Sequence, residues 1–258
     1  MTAPGTSLES PAMNSIVAVD IGNSTARWGL WNGRGFEHCG SWPVADLGKT
    51  SLFAEPPASD RIGMVVASSV VPGSEDALAR AIRHQLGLAV RFLGRDLKVP
   101  LQIDVEEPDR VGADRLAAAV AAHRSCSAAV VVDFGTAITV DAVTADGRFV
   151  GGAILPGPRL CLAGLAAGTA GVKLDGDVGV RLPPGRNTRE AVEAALSHGL
   201  AGAVDRLTQR TRAALGDGTG AIATGGGAGF FLPLCETRFT HAPNLVLEGL
   251  VAAALDEI

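Results

Sequence analysis

The chain has 258 residues, 47% of them hydrophobic and 19% charged, with a net charge of -5. This length is enough for one large domain or two ordinary ones, and the apolar content excludes disorder over most of the chain. The acidic balance argues against nucleic-acid binding as the main function. Tyrosine is absent, whereas glycine contributes 33 residues.

The sequence contains no apolar run near the ~18–20 residues that a membrane-spanning helix needs. Met1–Pro11 has neither the basic nor the apolar region of a secretory signal. We therefore predict a cytoplasmic protein without a membrane or nucleic-acid partner, with a disordered tail at 1–13. The irregularly spaced cysteines favour buried free thiols over disulfides or a zinc site; they are Cys39, Cys126, Cys161 and Cys235.

One strand and hairpin pattern occurs twice in the chain. A buried strand ending at Asp20 runs into a glycine loop and a hairpin, and the same order follows Asp133, 113 residues later. Matching offsets predict two similarly built halves. The predicted strands of the two patterns are Ser15–Asp20, Thr25–Trp31 and Arg34–Gly40, then Ala128–Asp133, Ala137–Thr144 and Arg148–Ile154, with turns at Asn32-Gly33 and Asp146-Gly147.

Helical patterns follow each hairpin and indicate a mixed α/β architecture. We predict half-domains at 14–125 and 126–258, each a mixed sheet flanked by helices, with a cleft between them. Predicted helices cover Ser74–Leu86, Asp109–His123, Thr188–Leu215 (broken near Gly199 and Gly202, with Thr188 as its cap) and Leu245–Leu255. Further strands are predicted at Gly63–Val71, Ala89–Leu93 and Ala221–Ala223, and an irregular loop at Lys49–Asp60.

The glycine-flanked aspartates predict a phosphate-binding cleft. Glycine lets the backbone approach an anion closely, and Asp20 and Asp133 can hold a cation directly or through water. A single D-x-G is common in ordinary turns, but a third loop, Thr224–Gly227, favours binding. The sequence has neither the P-loop pattern nor the dinucleotide fingerprint.

Five motifs together resemble the type III pantothenate kinases. They lie within a similarity that runs from about Ile16 to Val251, and G-A-D-R is the most specific of them. The motifs are Asp20–Ser24 (D-I-G-N-S), Gly112–Arg115 (G-A-D-R), Asp133–Ala137 (D-F-G-T-A), Gly151–Gly157 (G-G-A-I-L-P-G) and Thr224–Gly226 (T-G-G).

The resemblance implies the actin-like ATPase fold, of the ribonuclease H-like type, found in the acetate and sugar kinase/heat-shock ATPase/actin superfamily. It implies ATP-dependent phosphorylation of pantothenate to 4'-phosphopantothenate, the first step of coenzyme A synthesis. The cofactors it implies are ATP, Mg²⁺ and a monovalent cation, K⁺ or NH₄⁺. It also implies a homodimer with the active site near the interface.

Residue roles carried by the resemblance fall into four groups. Asp114 is the expected proton acceptor, at a helix start whose dipole should lower its pKa; the plain alternative is a helix-terminal acid. Asp133 is expected to bind the monovalent cation and Asp20 the Mg²⁺. The expected ATP and phosphate ligands are Asp20, Gly22, Asn23, Ser24, Arg27, Gly135, Thr136, Thr224, Gly225 and Gly226, and the expected pantothenate ligands are Gly112, Ala113, Arg115, Val105 and Thr188. For Arg115 the partner is either the pantothenate carboxylate or a phosphate.

Two alternatives to a pantothenate kinase stay open at this point. One is a non-catalytic relative, a transcription accessory factor, against which the intact Asp20, Asp114 and Asp133 argue. The other is a kinase of the same fold with a different acceptor. Val105 keeps this one open, because it stands where the family usually has tyrosine.

Overall fold

The computed structural model describes residues 15–48, 52–53, 61–172, 174 and 176–257. The tail at 1–13 and most of the loop predicted at Lys49–Asp60 lie outside these residues. Within them, no helix is long and apolar enough to cross a membrane.

The strands are β1 (Ser15–Ile21), β2 (Thr25–Trp31), β3 (Phe36–Pro43), β4 (Ile62–Ser69), β5 (Val90–Phe92), β6 (Gln102–Ile103), β7 (Ala129–Phe134), β8 (Ala137–Val143), β9 (Arg148–Pro156), β10 (Gly220–Thr224) and β11 (Thr240–His241). The helices are α1 (Ser74–Leu86), α2 (Ala113–Cys126), α3 (Pro158–Gly168), α4 (Thr188–Ala194), α5 (Leu200–Leu215), α6 (Ala228–Phe231) and α7 (Leu245–Leu255). The chain divides into two compact units, one up to Phe92 and one from Leu93.

The first unit is built on a five-stranded sheet in the order β3-β2-β1-β4-β5. The first three strands form an antiparallel meander, and β4 and β5 run parallel to β1. The central strand β1 is apolar on both faces, as expected for a strand covered on both sides, and the neighbouring Val17 and Ala18, which point to opposite faces, are both fully buried. Leu78 and Ile82 of α1 join the same core.

The second unit repeats this order. Its sheet runs β11-β10-β7-β8-β9-β6, so β7 to β11 follow the order of β1 to β5 and β6 is added at the edge. The antiparallel and parallel pairings also match. The internal repeat predicted from the sequence is therefore confirmed at the level of strand order and direction.

Helices cover both faces of the second sheet. On one face Val130, Val132 and Phe134 pack in a core with α5 and α6. On the other face α2 contacts β7 and β8 and crosses α7 closely. The crossing depends on Gly249, because a Cβ there would collide with the backbone carbonyl of Ala117. This packing places the first turn of α2 over the face of β8.

The half-domain boundary predicted between 125 and 126 stays a prediction about domain organisation. The division between compact units falls after Phe92 instead, because α2 packs on α7, β7 and β8.

Several element predictions need correction. The helix predicted from Asp109 begins at Ala113, because Pro108–Arg110 forms a separate 3₁₀ turn. The long helix predicted from Thr188 consists of α4, a π-helical turn and α5. Its cap is Asn187, whose side-chain oxygen accepts the N–H of Glu190 at 2.9 Å. Helix α3 was missed, because its small apolar residues give no amphipathic pattern.

The cysteine prediction was half correct. All four cysteines are free, as predicted, but none is buried: Cys39 is exposed and the other three are partly exposed. Burial raises the pKa of the Cys235 thiol to about 12, and the charge of Asp205 adds to the shift.

Candidate active site

The first glycine loop begins at Asp20, at the end of β1. Asp20 lies opposite Arg27 in the antiparallel β2 and beside Ser68 in the parallel β4. The Ser68 hydroxyl donates a hydrogen bond of 2.7 Å to Asp20 Oδ1, which orients the carboxylate. Asn23 and Ser24 are exposed in the loop that follows. Three predicted ligands therefore lie together at the end of β1: Asp20, whose carboxylate is oriented, and Asn23 and Ser24, which are exposed.

The loop is closed by a backbone hydrogen bond rather than by side chains. The N–H of Gly22 donates to the carbonyl of Thr25 at 3.2 Å. The second unit repeats this, since Gly135 donates to Ala137 at 3.1 Å. Thr136 is exposed at the tip of that second loop.

The third glycine cluster packs directly on the second loop. A Cβ on Gly225 would collide with Asp133 Oδ1 and lie 2.7 Å from the backbone of Phe134, and the φ of Gly225 is +91°. The N–H of Gly227 donates to the carbonyl of Phe134 at 2.8 Å. The predicted phosphate loops at Asp133 and Gly225 are therefore in contact, and only glycine fits at this point.

Thr224 differs from its neighbours in this cluster. It pairs in register with Asp133 and is 2% exposed. A side chain so buried supports the loop from below, whereas Gly226 is the exposed member of the cluster.

Asp114 lies in the first turn of α2, half-buried, after Gly112 as the capping residue. Its Oδ1 accepts the N–H of Arg115 at 2.8 Å. Burial raises the pKa of Asp114 and the nearby Asp141 carboxylate raises it too, against the lowering effects of the Arg115 N–H and charge. The expectation that the helix dipole would lower this pKa was wrong, because desolvation outweighs it.

The guanidinium of Arg115 is held from two sides. Its Nε lies 3.0 and 3.1 Å from the two carboxylate oxygens of Asp141, and its Nη2 also donates to Asp141. Its Cζ lies 5.6 Å from the centre of the Phe149 ring. A pair of this kind leaves Arg115 little freedom to turn.

Val105 approaches the same part of the sheet. A Cβ on Gly151 would lie 3.5 Å from Val105 Cγ1, and Phe149 of the same strand supports Arg115. Two predicted pantothenate ligands, Val105 before α2 and Arg115 on it, therefore both lie against the first half of β9. We call Val105, Asp114, Arg115, Asp141 and Phe149 the α2–β9 group.

Not every predicted ligand belongs to that group. Thr188 is exposed at the start of α4, and its role near the acceptor stays a prediction.

The sequence pattern did not predict one member of the group, Asp141, which lies in β8 and is 2% exposed. The available signal was a single carboxylate inside an otherwise apolar strand.

A divalent metal fits the donors of this protein. Among the described residues no cluster of three or more His, Cys, Asp or Glu side chains could hold a metal ion. Mg²⁺ does not need one, because it keeps several waters and binds through one or two carboxylates and the substrate phosphates. Asp20, oriented by Ser68, is a donor of that kind.

Comparison with known proteins decides the family. Residues 16–210 match the family model described as type III pantothenate kinase. The chain belongs to the type III pantothenate kinase family. A type III pantothenate kinase of Frankia casuarinae is 35% identical over 246 residues, covering 91% of this chain and 96% of the relative. One of Halorhodospira halophila is 34% identical over 246 residues, covering 90% and 95%.

Solved structures confirm the predicted fold class. A Campylobacter jejuni protein described as a Baf family transcriptional activator superposes with a TM-score of 0.60 at 18% identity, over 93% of this chain and 98% of the other. MreB 5 of Spiroplasma citri bound to AMPPNP gives 0.50 at 11% identity, over 93% and 95%. At such identities the likeness concerns the fold alone, which is that of the actin-like ATPases.

Family membership also confirms the predicted activity. The protein is an ATP-dependent kinase that phosphorylates pantothenate, with ATP and a divalent metal as its cofactors. The alternative of a non-catalytic transcription accessory factor is not favoured. The homodimer, the monovalent cation and the cytoplasmic location stay predictions.

Proposed function

We propose that the protein transfers the γ-phosphoryl group of ATP to the primary hydroxyl of pantothenate, with Asp114 receiving the hydroxyl proton. The observation that carries the proposal is the α2–β9 group, in which a half-buried carboxylate with a raised pKa stands next to an anchored arginine. Phosphoryl transfer needs a positioned nucleophile and stabilised charge more than covalent chemistry.

Asp114 has the properties that this role requires. A raised pKa brings a carboxylate closer to the operating pH, where a general base is most effective. The N–H of Arg115 binds Oδ1 and sets the direction of the carboxylate.

Arg115 supplies a fixed positive charge beside Asp114. A guanidinium matches the planar, bidentate geometry of a carboxylate, and pantothenate carries one carboxylate. We therefore assign Arg115 to the carboxylate of the acceptor. Val105 contributes apolar surface at the same place.

The glycine loops supply backbone N–H donors for the phosphates. Gly22 and Gly135 open the two equivalent loops, and Gly225 and Gly226 add a third. When bound, Mg²⁺ neutralises charge on the transferred phosphoryl group, and Asp20 is the residue we assign to hold it. Arg27, opposite Asp20 in β2, adds positive charge at that strand end.

We assign a monovalent cation to Asp133. Only three lysines occur in the chain and none follows the P-loop pattern. A carboxylate beside the glycine loops at Gly135 and Gly225 is a suitable oxygen ligand for K⁺ or NH₄⁺, which would supply the positive charge that other kinases take from lysine.

We further propose a homodimer that uses the surface of α3 and the end of β9. None of the eleven residues of α3 is buried, although its sequence is almost entirely apolar. Ile154 and Leu160 are 64% and 45% exposed. An exposed apolar surface of this kind is typical of a protein–protein interface. Its position supports an active site near the interface, because Gly157 before α3 donates to the carbonyl of Thr136 at 3.1 Å.

The four free cysteines support a reducing, cytoplasmic location for this enzyme.

An assay that couples ADP release to NADH oxidation tests the proposed activity. Purified protein with ATP, Mg²⁺ and K⁺ should release ADP when pantothenate is added, and mass spectrometry should find pantothenate carrying one added phosphoryl group. The control for acceptor choice is pantoate. It keeps the hydroxyl that is phosphorylated but lacks the half of the pantothenate molecule that ends in the carboxylate. Absence of pantothenate-dependent ADP release in every monovalent cation tested would overturn the proposal.

A further inference from the structure

Arg115 is committed to Asp141 through one edge of its guanidinium. The Nε and Nη2 atoms both donate to the Asp141 carboxylate. The side chains of Arg115 and Asp141 are 18% and 3% exposed. The edge formed by Nη1 and Nη2 is a second donor fork of the guanidinium, and it is not the edge that faces Asp141.

The site for Asp141 is built into the neighbouring strand. Gly152 pairs with Asp141 in register across β8 and β9. A Cβ on Gly152 would lie 2.6 Å from Asp141 Oδ1 and collide with the carbonyl of Val140. Any larger residue at 152 would therefore displace the carboxylate that holds Arg115.

The pair lies between the acceptor side and the phosphate side of the second unit. Thr139 of β8 is directly opposite Asp133 of β7, and Asp141 lies two residues further along β8 on the same face. Diagonal neighbours of this kind are ~7–8 Å apart in an antiparallel pair. Asp114, next to Arg115, feels the charge of Asp141 through the same group.

We propose that Asp141 is a positioning residue for the acceptor: it fixes the guanidinium of Arg115 so that the Nη1–Nη2 edge faces the carboxylate of the substrate. The inference rests on the proposed function, since it concerns how that acceptor is recognised. Two residues of β9 support this arrangement. The ring of Phe149 lies under the guanidinium, and Gly152, which has no side chain, leaves the space that the Asp141 carboxylate occupies.

The main test is Asp141→Asn, which keeps the shape of the side chain and removes its charge. We expect the KM for pantothenate to rise about tenfold to a hundredfold, the range for a lost charged hydrogen bond. The KM for ATP should stay within about threefold of wild type, because the phosphate loops are untouched. With pantothenyl alcohol, which has a hydroxymethyl group in place of the carboxylate, the variant and the wild type should have equal KM values.

The matched control is Asp146→Asn, the same change in the exposed turn between β8 and β9. Asp146 pairs with Arg148 at 2.9 Å, outside the α2–β9 group. Its KM for pantothenate should equal that of the wild type. An unchanged pantothenate KM in Asp141→Asn, or an equal rise with pantothenyl alcohol, would overturn the inference.

A double variant keeps the test valid if Asp141→Asn does not fold. Removing one partner of a buried pair leaves an uncompensated charge, whereas removing both does not. Arg115→Gln with Asp141→Asn should have the same pantothenate KM as Arg115→Gln alone, because Asp141 acts only through Arg115. A further rise of more than about threefold in the double variant would contradict this.

The wild-type assay separates this inference from the proposed function. If the wild type does not turn over pantothenate, both are wrong. If it does, and the variants leave the pantothenate KM unchanged, only the role of Asp141 is wrong.

Discussion

Asp20 and Asp133 occupy the same place in two sheets of the same strand order. Each lies one residue before the end of its strand, β1 or β7, opposite a residue of an antiparallel neighbour and beside a hydroxyl residue of a parallel one. The hydroxyl residue is Ser68 for Asp20 and Thr224 for Asp133. The repeat thus preserves the placement of a carboxylate and the backbone closure of the loop after it, while the second loop closes over one residue fewer.

Replacing Asp114 by asparagine should lower the activity without lowering the stability. In Asp114→Asn we expect kcat to fall about 10²–10⁴-fold, the range for loss of a general base. The melting temperature should equal or exceed that of the wild type, because burial disfavours the charged carboxylate in the folded state. Steady-state kinetics and calorimetry measure both quantities. Near-normal turnover in a folded variant would show that the proton goes elsewhere.

The raised pKa of Asp114 predicts an acid limb in the pH profile. The carboxylate must be deprotonated to accept a proton, so kcat/KM should fall as the pH drops through a pKa above the ordinary carboxyl range. Residual activity of Asp114→Asn should lack this limb. A limb that persists unchanged in the variant would assign it to another group.

The raised pKa of Asp114 also makes the free energy of unfolding depend on pH: the charged carboxylate that activity requires is the form that destabilises the folded protein. The pKa of Asp114 is higher in the folded than in the unfolded state, so its contribution is fully present below the unfolded pKa and is lost as the pH rises through the folded pKa. The difference in unfolding free energy between Asp114→Asn and wild type should therefore grow in favour of the variant between those two pKa values. Denaturant titrations across that range measure the difference.

Gly225→Ala should lower the stability of the second unit, and Gly226→Ala should leave its stability unchanged. Gly225 has a φ of +91° and its Cβ would collide with Asp133, whereas nothing lies within 4 Å of a Cβ on Gly226. We expect the first change to destabilise the protein by about 1–3 kcal/mol and to weaken ADP binding. Gly226→Ala is the control for stability only, because Gly226 is itself an expected phosphate ligand. Equal melting temperatures for the two variants would refute the close packing at Gly225.

Leu160→Glu should disrupt the proposed dimer. A charge in the exposed apolar surface of α3 cannot be desolvated without a partner, so the mass from light scattering should fall to that of a monomer. Ala213→Glu, on an exposed position of α5, is the matched control. A Leu160→Glu variant that remains a dimer would place the interface elsewhere.

Asp133→Asn should change the dependence on monovalent cations. In the wild type, turnover should require K⁺ or NH₄⁺ and be low in Na⁺ alone, and the variant should need a higher K⁺ concentration for half-maximal rate. Initial rates at fixed ionic strength measure both. Full wild-type activity in Na⁺ alone would remove the cation role from Asp133.

Local pattern was enough to predict most elements of this fold. Helices α1 and α7 have the predicted bounds, because glycine flanks the amphipathic α1 at both ends and asparagine precedes the apolar α7. The start of α2 was placed too early, since Pro108 makes a separate turn that composition does not distinguish from a first helical turn. Helix α3 was missed because it buries nothing within the chain.

The sequence by itself determined the family, the two-fold repeat and the residue types of the loops, because these depend on short motifs and their order. Only the tertiary structure decided the protonation tendency of Asp114 and the anchoring of Arg115 by Asp141. Both depend on desolvation and on contacts between α2, β8 and β9, and residues 26 positions apart along the chain meet there through packing that no local pattern encodes.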